Sequence, residues 1–195
     1  MASDDTSAKF AKPEEPALRR GWTTGACATA ALKSALHALL GHDFLDPVSI
    51  VLPKGQEPAF SLARESRVIG QEASCSIIKD AGDDPDVTHG AEIRVGVKRG
   101  PVGSGVVFKA GEGVGIVTRE GLPIAVGEPS ITPTPRSMMI GVAEEASRQF
   151  SVPCDFEVTI EIPGGKELAV QTLNPRLGVV GGLSILGTTG IVIPY

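Results

Sequence analysis

Between Lys79 and Gly90 the chain reads Lys-Asp-Ala-Gly-Asp-Asp-Pro-Asp-Val-Thr-His-Gly, with Asp80, Asp83, Asp84 and Asp86 inside seven positions. Carboxylates this crowded repel one another unless a cation, hydrogen-bond donors or water satisfies them. Three kinds of chemistry fit. The loop could ligate a divalent cation through oxygen, hold the cationic end of a ligand, or supply a general base. A solvated turn capped by its own aspartates needs no function; for an isolated acidic run that is the commoner case. The spacing lacks the ordered ligands and final glutamate of an EF-hand loop. His89 alone makes no metal site.

Other segments carry weaker signals. Gly111, Gly113 and Gly115 would let backbone N–H groups approach an anion. No Lys-Ser/Thr pair follows them, so a Walker loop is excluded, and by spacing a tight hairpin is the simpler reading. Thr23-Thr24-Gly25 and Thr188-Thr189-Gly190 repeat one tripeptide near opposite ends of the chain. Such a tripeptide can cap a helix or bind an anion at its start. Cys27 falls one turn into the first expected helix, where the dipole would lower its pKa, although a buried structural thiol is the plainer role. Arg136 sits at the start of a second helix and could meet a carboxylate. Gly181, Gly182, Ser184, Gly187 and Gly190 lie in an apolar run, which suits close approach of a ligand to the backbone or a crossover between layers.

The elements that must position these residues follow from periodicity. Ala28, Leu32, Ala35, Leu36 and Leu39 give one apolar helical face between Thr23 and about Leu40. Val48, Ile50 and Leu52, then a Pro-Lys-Gly-Gln turn, then Phe60 and Leu62 predict a hairpin. Ala73, Cys75 and Ile77 form a strand leading into the acidic loop, and Ile93, Val95 and Val97 form one leaving it. Val106 to Lys109 and Ile116 to Thr118 flank the glycine loop. Pro135 to Phe150 reads as a helix with Met138, Met139, Val142, Ala143, Ala146 and Phe150 as its stripe. Phe156 to Ile162 is a strand, with Leu168 and Val170 expected as its return. Hairpins with interspersed helices define an α+β fold, mainly antiparallel. The expected division is a flexible tail over 1–18 and one domain over 19–195.

Composition narrows the classes. The net charge of −5 argues against broad nucleic-acid binding, which needs Lys and Arg against phosphates. The aromatic content of 4% predicts an aliphatic core. Three separated cysteines, Cys27, Cys75 and Cys154, fit reduced cytosolic thiols better than a disulfide framework. No apolar stretch approaches a membrane span, so a cytoplasmic protein is expected. The apolar end Ile191-Val192-Ile193-Pro194-Tyr195 reads as a buried terminal strand or a cut within a longer chain.

Five segments in series, 21–31, 79–90, 111–118, 127–136 and 174–192, together resemble the CbiD family, the cobalt-precorrin-5B C1-methyltransferases of anaerobic cobalamin biosynthesis. The resemblance spans about Arg20 to Tyr195. Trp22 and Ala26 stand where the family usually has Tyr and Thr. Family chains continue beyond the last motif, so this sequence resembles their N-terminal portion. The resemblance implies methyl transfer from S-adenosylmethionine to C1 of cobalt-precorrin-5B, giving cobalt-precorrin-6A. It implies no protein-bound metal and leaves room for a homo-oligomer. The substrate is a tetrapyrrole fringed with carboxylates, which Arg136, with Arg94, Lys98 or Arg99, could meet. The acidic loop suits the donor's ammonium or ribose, with Asp83 or Asp84 as an optional base. The residues expected around ligand are Thr23, Thr24, Gly25, Cys27, Lys79, Asp80, Asp86, Thr88, Gly111, Gly113, Gly115, Arg136, Gly181, Gly182, Ser184, Gly187, Thr188, Thr189 and Gly190. A metal-dependent phosphotransferase, using the acidic and glycine loops, and an inactive corrinoid-binding fragment are the alternatives.

Overall fold

Thr23 ends an extended lead-in and starts the first helix: its Oγ1 accepts the Ala26 N–H at 3.2 Å. The computed structural model describes residues 16–195, so the first fifteen positions of the expected tail lie outside the described residues. In chain order the elements are β1 (Gly21–Trp22), α1 (Thr24–Leu39), β2 (Val48–Ser49), β3 (Ala59–Phe60), β4 (Arg64–Val68), β5 (Glu72–Ile78), β6 (Glu92–Arg99), β7 (Val106–Ala110), β8 (Ile116–Val117), α2 (Pro133–Phe150), β9 (Phe156–Glu161), α3 (Gly165–Ala169), α4 (Asn174–Leu177), β10 (Val179–Val180) and β11 (Ile191–Val192). The mixture is α+β, as the periodicity predicts.

Five strands form the main sheet in the order β4-β5-β6-β9-β7, antiparallel except where β7 runs parallel to β9. Register places Cys75 opposite Val95 and Val95 opposite Ile160. All three are buried on the helix-covered face. The next ladder, Ser66, Ser74, Gly96 and Thr159, faces the other way. Helix α1 packs on β5 and β6, and α2 packs on α1. Leu32 and Leu36 are fully buried between these layers, each contributing roughly 1.5–3 kcal/mol.

Several expectations change here. Helix α1 has no single apolar face: Lys33 and His37 alone among its residues escape full burial. It lies between sheet and helix, and its alanines permit that close approach on both sides. The hairpin expected across Gly111–Gly115 does not form. Strand β7 joins β9 in the main sheet, while β8 pairs with β10. The return strand expected at Leu168 and Val170 is replaced by α3, whose C-terminal neighbour Val170 is exposed. Both edges of β9 are already taken, by β6 and β7, so a returning strand has no free ladder. Strand β4 had no apolar alternation to betray it; all its residues are exposed along the sheet edge.

Short ribbons close the molecule around the start of α1. Gly21 pairs with Val192 and Trp22 with Ile191, joining β1 to β11. The Trp22 N–H also donates to Asp80 O at 2.7 Å. The first motif is thereby fixed between the acidic loop and the end of the described chain.

Candidate functional site

The acidic loop is occupied by its own protein. The Arg19 guanidinium donates to both Asp80 oxygens at 2.5 and 3.0 Å. Those hydrogen bonds, with the Gly82 N–H, hold the Asp80 carboxyl down at about 2. Asp83 accepts the Arg19 backbone N–H at 2.5 Å. His89 Nδ1 accepts the Ala81 N–H at 3.1 Å. Asp84 is half-buried and makes no side-chain hydrogen bond among the described residues.

At the base of the loop is a buried cation. Lys79 is 3% exposed, and its Nζ donates to Asp86 at 2.6 Å and to Thr88 Oγ1 at 2.5 Å. Thr88 returns both its N–H and its hydroxyl to Asp86, at 2.7 and 2.6 Å. Burial works to raise the Asp86 pKa, but the bonds from Lys79 and Thr88 outweigh it, so the carboxyl lies below its ordinary value. The apolar strand β5 delivers Lys79 inward, and the loop folds back to neutralise it.

Opposite stands the segment 183–187. The Gly25 N–H donates to Leu186 O at 2.9 Å, and Thr23 N–H to Gly190 O at 3.0 Å. Gly187 has φ +134°, and a Cβ there would lie 2.3 Å from Thr23 Oγ1. Glycine is required because the segment presses directly on the helix cap. Ser184 Oγ lies 2.7 Å from the buried Ser130 Oγ and donates to Asn174 Oδ1 at 3.4 Å.

These pieces enclose a cleft of about 190 Å³. Its polar lining comprises Thr23, Thr24, Lys79, Asp86, Thr88, Thr172, Asn174 and Ser184, beside Gly187; Val87, Leu183, Leu186 and Val192 supply apolar surface. Three separately read motifs therefore meet. Thr172, Asn174 and the apolar wall were not singled out from sequence. Asn174, a polar residue ahead of a proline and an apolar run, was the available signal; it is buried, and its Nδ2 donates to Gly182 O at 3.2 Å.

Other expected residues lie outside this lining. Asp80, Asp83 and Asp84 belong to the outer loop. Gly25 packs against Pro135. Cys27 is fully buried, and burial pushes its thiol up to about 12, the reverse of the dipole expectation. Gly181 and Thr188 are exposed. Gly190 packs on Leu52, and Thr189 Oγ1 closes the turn before β11 by accepting the Ile191 N–H at 3.2 Å. Arg136 is turned onto its own lead-in: it donates to Ile131 O at 2.8 Å and Pro129 O at 3.0 Å, and lies over the Phe108 ring. Arg94 and Lys98 pair with Glu161 and Glu157 on the open sheet face, while Arg99 lies over Phe156.

The glycine loop does not cradle phosphate. Gly111 and Gly115 spend their N–H groups on Ile160 O and Leu183 O. A Cβ on Gly113 would come within 1.9 Å of Ile162 O, and one on Gly182 within 2.1 Å of Gly113 O. The density of glycine reflects backbone packed on backbone, and the phosphotransferase alternative loses its anion site. Among the described residues no cluster of three or more His, Cys, Asp or Glu is arranged to hold a metal. No helix among them is long and apolar enough to cross a membrane.

The family model described as CbiD matches residues 11–194. A cobalt-precorrin-5B C(1)-methyltransferase of Paramagnetospirillum magneticum is 58% identical over 182 residues, covering 93% of this chain and 51% of the relative. One from Brucella ovis is 55% identical over 193 residues, covering 99% and 52%. The 1.9 Å crystal structure of a cobalamin biosynthesis protein (cbiD) from Archaeoglobus fulgidus superposes with a TM-score of 0.70 at 32% identity, covering 91% of this chain and 55% of that one. The chain thus spans about half the length of the curated relatives it matches.

Proposed function

The chain belongs to the CbiD family, and we propose from that premise that it takes part in transferring a methyl group from S-adenosylmethionine to C1 of cobalt-precorrin-5B, giving cobalt-precorrin-6A, in the cytoplasm. One observation carries the reading: the 21–25, 79–88 and 183–187 motifs, remote in sequence, converge on one cleft. S-adenosylmethionine supplies an electrophilic sulfonium methyl. The chain's residues supply position. Buried Leu183 and the more exposed Val87, Leu186 and Val192 offer apolar surface, while Thr23, Thr24, Lys79 and Ser184 offer fixed polar contacts. Holding donor and acceptor carbon in a near-attack arrangement is the main task in such a reaction. At about 190 Å³ the cleft is smaller than pockets that enclose a whole drug-sized ligand. It fits one arm of the donor or of the macrocycle.

Incubating the protein with methyl-labelled S-adenosylmethionine and cobalt-precorrin-5B tests this directly. Mass spectrometry should find one labelled methyl on the corrinoid; folded protein that moves no label refutes the reading. Of the two aspartates expected as a base, Asp84 keeps its carboxylate free of protein hydrogen bonds among the described residues. Asp84→Asn should leave turnover within about twofold if positioning dominates, against a loss of about a hundredfold for a true general base.

A further inference from the structure

The cleft gathers positive charge that the protein leaves partly unanswered. Helix α1 is buried along nearly its whole length, and its first turn carries no acidic residue. Its N-terminal end bears a partial positive charge. Lys79 lies on the same cleft, and at Cys27, one turn into α1, its charge acts more strongly than the opposing charge of Asp80. A cation beside a helix N-terminus is repelled, and burial removes the water that would screen it. Asp86 answers the lysine; at the helix end Leu186 O and Thr23 Oγ1 take the Gly25 and Ala26 N–H groups, but among the described residues the first turn holds no acidic side chain to answer its charge.

Unused donors point the same way. An ammonium has three N–H groups, and Lys79 spends two, on Asp86 and Thr88. Thr24 is 5% exposed and lines the cleft. Among the described residues its hydroxyl has no hydrogen-bond partner, and its backbone N–H, at the first helical position, has no acceptor. Thr23, by contrast, already accepts the Ala26 N–H as the cap and gives its own N–H to Gly190 O. Asp86 lines the cleft as well, but its oxygens are taken up by Lys79 and Thr88, while Asp80, Asp83 and Asp84 stay outside the lining.

We propose that this wall is a receptor for a single carboxylate, bound by the third N–H of Lys79 together with the hydroxyl and backbone N–H of Thr24. The inference rests on the cleft being the methyl-transfer site, and it reverses the expectation that the loop receives a ligand's ammonium. Two sources carry the right chemistry: the methionine carboxylate of the donor, and a carboxylate arm of the macrocycle.

Calorimetry on the intact chain separates them. One arm compares S-adenosylmethionine with its decarboxylated form; the other compares a corrinoid bearing free carboxylates with the same corrinoid amidated. The carboxylate form should bind roughly tenfold or more tightly in one arm, the worth of a charge-assisted hydrogen bond. Thr24→Val, nearly isosteric, should cut that preference severalfold, and Lys79→Met should abolish it, with circular dichroism checking the fold of each. Thr24→Val keeps the test valid if loss of the buried lysine unfolds the chain. No preference in either arm, no binding of any probe, or a preference that Thr24→Val leaves unchanged overturns the proposal. The methyl-transfer reading is judged separately by label transfer, so a chain that binds by its carboxylate preference but moves no methyl would refute only that reading.

Discussion

On the open face of the main sheet, Lys98 meets Glu157 at 3.1 Å and Arg94 meets Glu161 at 3.3 Å, all four side chains partly in solvent. In the cleft beside α1, Lys79 meets Asp86 at 2.6 Å with the lysine withdrawn from water. The sheet face holds the larger hollow, about 360 Å³ against 190 Å³. Its lining includes Ser66, Ser74, Gly96 and Thr159, small residues on a hydrated sheet face. Size does not mark the proposed site. Solvated pairs contribute little and constrain little, whereas a desolvated charge must be held by fixed partners. Where such partners leave donors over, a ligand has something to bind.

Removing one lysine from each region should break this comparison most severely. Lys79→Met leaves Asp86 beside an apolar side chain and should cost about 3 kcal/mol, the low end for a broken buried pair because Asp86 is 23% exposed. Lys98→Met should cost under about 1 kcal/mol. Urea denaturation of both measures the gap. Equal losses would mean that the two pairs are equally solvated and that the cleft has no special electrostatic character.

Glycine sharpens the contrast at smaller scale. Gly187→Ala must place a Cβ against Thr23 Oγ1 in a backbone conformation disfavoured for other residues, at a cost of about 2 kcal/mol. Gly96→Ala meets only Ser74 Cβ at 3.8 Å and should change stability by no more than about 0.5 kcal/mol, in the stabilising direction expected within a strand. Thermal melts of the pair decide it. A harmless Gly187→Ala would show that the 183–187 segment does not press on the helix cap.

The same contrast explains what could be read from sequence. The strands carrying Ala73-Cys75-Ile77 and Ile93-Val95-Val97 were legible because one face of each is core and the other is water. Thr23 was legible as a cap because capping is local. The burial of α1 on both sides was not, since alanine suits an exposed helix and a buried one equally. The fate of the acidic loop was also hidden. Its partners are Arg19, far away in sequence, and Lys79, whose burial no pattern announces. Glycines at 111–115 and 181–190 signalled close approach correctly, yet composition could not say whether the approaching partner was ligand or backbone. For Gly113 and Gly182 it is backbone.

Acid provides the mildest test, and it acts on the acidic loop beside the cleft. The Arg19 hydrogen bonds and the Gly82 N–H place Asp80 at about 2 against an ordinary 3.8. A carboxyl depressed in the folded state adds stability that is complete above its unfolded pKa and disappears as pH falls through the folded one. The contribution from Asp80 is therefore present above about pH 4 and lost toward pH 2. Its side chain is 45% exposed, so solvent screening keeps the amplitude below about 1 kcal/mol. Asp86, also depressed, adds to the same acid limb with the same sign. Melting temperature measured from pH 5 to pH 2 should fall less steeply in Asp80→Asn than in the parent chain. An unchanged slope would mean that Arg19 does not hold Asp80 in solution. The Asp80 carboxylate would then be free to face a ligand, and the division between an outer loop held by Arg19 and a cleft that presents Lys79 would fail at its outer edge.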